Sequence, residues 1–110
     1  MNPTTPIASL VTDLNEQADY PETGARNKPL HKDEQTQHGL MCLAAGTTIA
    51  EHASPRNVTV TVVAGQGTLT LEGREIPLQP GVFIVMPANA LHAVQTTDST
   101  LAFLLSKGLA

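Results

Sequence analysis

Residues 58–71 read VTVTVVAGQGTLTL, and this stretch decides the fold. Valine alternates with threonine over residues 58–62, which is typical of a β-strand that buries one of its two faces. Glycines on both sides of Gln66 supply a tight turn, and leucine then alternates with threonine up to residue 71. The stretch therefore predicts two short strands joined by a turn.

Short apolar runs separated by Gly, Pro and Asn continue this pattern on both sides. They predict further strands near residues 38–44, 48–52, 76–78, 83–86, 91–95 and 101–105. Beyond residue 37 no stretch repeats its apolar residues with the period of a helix. Eight or so short strands predict an all-β barrel or jelly roll, because closing or stacking the sheets protects their edges.

The first 37 residues are different in character, since they are polar and contain four prolines. They predict a partly ordered N-terminal arm in which no long regular element fits. Exceptions are the apolar run Ile7–Val11 and a short helix that begins near Thr12 or Asp13, with Glu16 as the capping-box partner of Asp13. We therefore divide the chain into an arm, residues 1–37, and a barrel, residues 38–110. The alternative is that the arm supplies a strand to the sheet of a second copy within a dimer.

Composition excludes several classes of function. The chain has 110 residues, the size of one domain, and six basic against ten acidic residues give a net charge of -4. Nucleic acids and anionic membranes need a clustered positive face, so neither is expected as a partner. The chain shows neither a long apolar run nor a basic-then-apolar start, so we expect a cytoplasmic protein without a membrane span. Its single cysteine leaves metal chemistry to histidines and carboxylates.

Two motifs in the second half of the chain resemble those of the cupin family of jelly-roll β-barrels. The positions of the first motif fall on Gly46, His52, Ser54, Val58 and Gly65. Those of the second fall on Gly81, Pro87, Asn89, His92 and Thr96. Asn89 replaces a glycine, which is a mild change because Asn also tolerates a left-handed backbone.

The resemblance implies a divalent metal inside the barrel. The family holds it with two histidines and a glutamate of the first motif and one histidine of the second, but here Ser54 and Val58 replace a histidine and the glutamate. His52 and His92 alone are too few for a tightly held metal, so the site holds a metal loosely or none. His38 completes a set of three histidines, suited to Zn, Fe, Ni or Cu, if its face of the 38–44 strand points inward; the sequence leaves this open.

Three other residues have simpler interpretations. Cys42 lies in an apolar strand and is expected to be a buried small hydrophobe rather than a nucleophile. Successive side chains of a strand point to opposite faces, so Glu51 is expected to point outward if the neighbouring His52 points inward. It becomes a metal ligand or a general base only if the strand bulges. His31 stands among charged residues and is expected in a solvated loop.

These observations predict a small single-domain cupin whose aliphatic barrel binds a small molecule. The expected ligand-binding residues are His52, His92, Ser54, Val60, Met86 and Val94. The resemblance also allows a metal-dependent enzyme, namely a dioxygenase, isomerase or decarboxylase acting on a small organic acid, diketone or sugar derivative. A sensory domain without turnover is a third interpretation. No catalytic residue can be named.

A homodimer is expected from the apolar positions that the alternation predicts to face outward. They include Met41 or Leu43, part of the 101–105 strand and the Ile7–Val11 run. A small monomer would leave this surface in water, and a second copy would cover it.

Overall fold

The computed structural model describes residues 9–109, which form one short helix and nine strands. The elements are α1 (Leu14–Gln17), β1 (Ala25–Lys32), β2 (Thr36–Leu43), β3 (Thr48–His52), β4 (Val58–Gly65), β5 (Gly67–Leu71), β6 (Arg74–Leu78), β7 (Phe83–Met86), β8 (His92–Gln95) and β9 (Leu101–Gly108). Among these described residues, no helix has the length and apolar character needed to span a membrane.

The strands form two antiparallel sheets. One has five strands in the order β1-β2-β9-β4-β7, and the other has four in the order β3-β8-β5-β6. Their facing sides bury one apolar core, which includes Val58, Val60 and Val62 of β4 and Leu69 of β5. The predicted all-β jelly roll is therefore confirmed.

The turn between β4 and β5 depends on Gly65, whose φ is +82°. A Cβ at this position would overlap the backbone carbonyl of Thr100, so only glycine lets the two segments approach so closely. This turn carries the chain from the five-stranded sheet to the four-stranded sheet. The alternating apolar residues of β4 and β5 therefore pack in the same core.

Strand β1 corrects the expectation that the arm holds no long regular element. It has eight residues, including Pro29, and all of them except Leu30 pair with β2. Proline has no backbone N–H to donate and is tolerated in edge strands and at bulges. β1 is an edge strand, and its register shifts between Pro29 and His31, so Pro29 interrupts no hydrogen bonding within the centre of the sheet. Exchange of an N-terminal strand between copies stays a prediction.

The short helix of the arm begins as expected. Asp13 is its N-cap, and the carboxylate accepts hydrogen bonds from the backbone N–H groups of Asn15 and Glu16. Of the predicted apolar run, Ile7 and Ala8 lie outside the described residues, whereas Leu10 and Val11 are exposed.

Strand β2 is buried on both faces. Met41 and Leu43 pack in the core between the sheets, so the expectation that they face outward is wrong. Leu40 and Cys42 pack on the opposite face, against arm residues that include Tyr20. Because the arm covers this second face, the apolar residues of β2 do not alternate with polar ones. Cys42 is a buried free thiol, as expected.

Candidate functional site

A cavity of about 100 Å³ lies between the two sheets. Its wall is apolar except at one end, where His52 and His92 lie. The remaining lining residues are Met41, Ile49, Val60, Leu69, Met86, Val94, Phe103 and Leu105. We call the end with the two histidines the mouth of the cavity.

The two histidines are direct cross-strand neighbours. His52 is the last residue of β3 and His92 the first of β8, and the two pair in register. Their ring centroids are 4.2 Å apart, and the planes are tilted by 58°. His92 is only 7% exposed, whereas His52 is exposed to solvent. A ligand that enters from solvent therefore meets His52 first and His92 deeper in.

A β-bulge in β3 directs His52 into the cavity. Ile49 pairs with Val94 and His52 with His92, so two residues of β3 lie opposite one residue of β8. The bulge lets Ile49 and His52 line the same cavity although three positions separate them. Glu51 lies within the bulge, is exposed and does not line the cavity, so the bulge does not turn it toward the histidines.

Both imidazoles are held in the same way. Nδ1 of His52 donates a hydrogen bond to the carbonyl oxygen of Ala50, and Nδ1 of His92 donates one to the carbonyl oxygen of Ala90. The distance from nitrogen to oxygen is 2.9 Å in both. A carbonyl oxygen only accepts, so Nδ1 carries the hydrogen and Nε2 of the neutral ring is an acceptor. The same backbone anchor orients histidines that bind metals. The mouth therefore offers two oriented acceptor nitrogens.

The structure brings most of the predicted ligand-binding residues to this cavity. Val60, Met86 and Val94 belong to its wall together with the two histidines. Ser54 lies farther out, in a depression that adjoins the mouth. The Ser54 carbonyl accepts a hydrogen bond of 2.7 Å from the N–H of Asn89, whose φ of 70° is the left-handed conformation expected for that residue.

His38 does not line the cavity with His52 and His92. It lies on the face of β2 that carries Cys42, and its Nδ1 is 2.7 Å from the Ser106 hydroxyl. Its ring stacks on that of His31, with centroids 6.4 Å apart. Within residues 9–109 no three side chains of His, Cys, Asp or Glu lie close enough together to hold a metal ion.

Sequence reasoning missed half of the cavity wall. The missed residues are Met41, Ile49, Leu69, Phe103 and Leu105. Leu69, Phe103 and Leu105 could have been found from the alternation of their strands. Met41 and Ile49 could not, because β2 is buried on both faces and the bulge in β3 changes the alternation.

Two packed antiparallel sheets with polar side chains at one end of an internal cavity define a jelly-roll barrel with an interior site. The family described as "Cupin domain" matches residues 39–106. The chain therefore belongs to the cupin family.

Solved structures agree with this assignment. A cupin superfamily protein from Desulfitobacterium hafniense superposes with a TM-score of 0.81 and 17% identity, over 94% of each chain. A cupin 2 conserved barrel domain protein from Leptotrichia buccalis has 27% identity and a TM-score of 0.80, over 88% of this chain and 47% of its own. The polyketide cyclase RemF from Streptomyces resistomycificus has 18% identity and a TM-score of 0.73, over 78% of this chain and 66% of its own. No protein of curated function matches the chain.

Proposed function

We propose that this cupin binds a small molecule whose apolar body occupies the barrel cavity and whose polar group contacts His52 and His92. The observation that carries the proposal is the pair of acceptor nitrogens at the mouth of an otherwise apolar cavity. Mostly apolar walls with a few converging polar groups are typical of small-molecule sites. The polar group of the ligand is a hydrogen-bond donor such as a hydroxyl, because neutral Nε2 atoms accept.

The volume of the cavity limits the apolar body of the ligand. An apolar cavity of roughly 150 Å³ binds benzene. The cavity here measures about 100 Å³, so it fits a short branched chain rather than an aromatic ring. The polar part of the ligand then lies at the mouth, beside the two histidines.

The side chains at the mouth do not fit a resident divalent metal. They offer two imidazoles and no carboxylate, and Val58 has no donor atom. Catalytic sites usually supply three protein ligands. We therefore favour the binding of a small molecule over catalysis by a metal-dependent dioxygenase, isomerase or decarboxylase. A loosely held Zn, Fe, Ni or Cu ion is an outcome that the experiment distinguishes.

The test is a fragment screen by ¹H–¹⁵N NMR on protein purified without an affinity tag or chelator, with elemental analysis of the same sample. Fragments that carry a hydroxyl on a short apolar chain are expected to shift the amides of cavity residues. His92→Ala should weaken their binding by about tenfold, the value of one lost hydrogen bond. His31→Ala is the matched control and should leave binding unchanged.

Two results would overturn this proposal. The first is the absence of any fragment that binds in the cavity, and the second is unchanged binding in His92→Ala. A near-stoichiometric transition metal that is lost in His52→Ala would overturn the metal-free form of the site and favour the enzyme alternative.

We also propose that two copies associate as a homodimer through β7. Phe83 and Val85 are 61% and 58% exposed on this strand, which forms one edge of the five-stranded sheet. The strand has four apolar residues and no charged ones. A second copy is the favoured occupant, because an uncharged surface lets two chains of net charge -4 approach with little repulsion.

A further inference from the structure

The cavity continues outward past the two histidines into the adjoining depression, which has a volume of about 280 Å³. Cavity and depression share His52, His92 and Leu105. The depression also contains Lys107 and Ser54. A ligand that contacts the histidines from inside the cavity therefore has this lysine in the space beside it.

Lys107 lines the depression because of its position on β9, and it also borders a second depression beside Gln37 and Gly39. Phe103 and Leu105 line the cavity, and Lys107 is the next residue on the same face of the strand. It pairs in register with Val58 of β4, which lines the same depression. The residue is half-buried. Its side chain therefore contributes to the wall of the depression.

In the part of the chain that the structure describes, no acidic residue lines the cavity or the depression. Within residues 9–109 the ion pairs are Arg26–Asp19 and His31–Asp33, and neither includes Lys107. Among the described residues, the depression at the mouth therefore has one lysine and no acidic side chain, although the chain as a whole is acidic. A half-buried ammonium group without an acidic partner favours an anion from outside the protein.

Resting on the proposed function, we infer that the ligand is a small hydroxycarboxylate with one negative charge. Its carboxylate binds Lys107, its hydroxyl donates to Nε2 of His52 or His92, and its short aliphatic chain fills the cavity. One lysine balances one negative charge, which favours a monocarboxylate over a phosphate dianion. The hydroxyl complements the histidines, because a ring whose Nδ1 donates to a backbone carbonyl accepts a hydrogen bond at Nε2 when it is neutral.

The test compares three probes by isothermal titration calorimetry. They are 2-hydroxyisocaproate, its uncharged amide 2-hydroxyisocaproamide, and isocaproate, which lacks the hydroxyl. The wild type should bind 2-hydroxyisocaproate about tenfold more tightly than either analogue, as expected for one hydrogen bond or one partly desolvated ion pair. The advantage over the amide should shrink as salt is added.

Lys107→Met keeps the apolar stem and removes the charge. It should abolish the preference for the acid over the amide and leave affinity for the amide unchanged, whereas Lys107→Arg should keep the preference. Lys32→Met is the matched control at an exposed lysine of β1 and should behave as the wild type. Circular dichroism on each variant verifies the fold.

The inference and the proposed function fail in different ways. If the amide binds as well as the acid, or if Lys107→Met keeps the preference, the anion site is wrong and the cavity remains a binding site. Equal affinity for isocaproate and its hydroxy derivative contradicts the role of the histidines. If none of the three probes binds, the inference is overturned, and the fragment screen decides the proposed function separately.

Discussion

The residues at positions 54 and 58 determine whether His52 and His92 have further ligands for a metal ion beside them. Both line the same depression as His52 and His92. In the family motif these positions carry a histidine and a glutamate, whereas here they carry a hydroxyl and an isopropyl group. Val58 is 4% exposed and packs in the core, so its position contributes burial instead of a metal ligand.

Restoring both ligands should therefore create a metal site. We expect Ser54→His combined with Val58→Glu to bind about one Zn²⁺ per chain, with an affinity at least tenfold above that of the wild type, because four ligands then converge. Without metal the buried carboxylate should cost roughly 2–4 kcal/mol of stability. Thermal unfolding with and without zinc, together with calorimetric titration, measures both effects.

The control for this variant is Val62→Glu combined with Ser54→His. Val62 is buried on the same strand, but it does not line the depression. Its glutamate should destabilise the fold to a similar extent without rescue by zinc. Equal rescue of the two double variants would contradict the assignment of Val58 to the mouth.

At the scale of elements, the turn between β1 and β2 is held by Asp33. Its carboxylate accepts hydrogen bonds of 2.8 Å and 2.9 Å from the N–H groups of Gln35 and Thr36. His31 Nε2 lies 3.1 Å from the same carboxylate. These contacts, with the backbone N–H of Thr36 as the largest cause, lower the pKa of Asp33 from 3.8 to about 2.

This shift predicts a pH dependence for the turn. A carboxyl group with a lowered pKa stabilises the folded state above its unfolded pKa, and this stabilisation is lost as the pH falls. The difference in unfolding free energy between wild type and Asp33→Ala should thus be constant near neutral pH and shrink between pH 3.8 and about 2. Urea unfolding at several pH values measures it. Glu34→Ala, at the exposed neighbour, should show no such change over this interval.

The edges of the two sheets differ in how they are protected. β1 carries Arg26, Lys28 and Pro29, and β6 carries charged residues and a proline. β3 has Glu51 and a bulge. Charges, prolines and bulges all discourage pairing with another chain. β7 has none of these features, so it is the edge that is chemically suited to a partner.

At the scale of the whole molecule, this difference predicts the assembly. Light scattering at micromolar concentration should give a mass about twice that of one 11.6 kDa chain. Val85→Lys should shift the mass to that of one chain, because a charge would be placed at the centre of the interface without a partner. Leu91→Lys, at another exposed apolar position, should leave the dimer intact. A wild-type mass of one chain would refute the interface.

Much of the fold was predictable because local patterns report it directly. The alternation in β4 and β5 places valines and leucines in the core, and the two motifs place His52 and His92 in one barrel. Asn89 could be predicted in the left-handed region from its chemistry alone. In each case the residue and its close neighbours in sequence contain the signal.

Local patterns in the sequence were enough to predict the strands from β2 onward, the family and the two histidines of the cavity. Only the tertiary structure decided that Met41 faces inward and His38 does not, since the arm buries the second face of β2. The same holds for the bulge that lets Ile49 and His52 share a cavity, and for the placement of Lys107 in one depression with the two histidines. The physical reason is that alternation reports which face of a strand is buried only when the other face meets water. Register, bulges and two-sided burial depend on contacts between residues far apart in the chain.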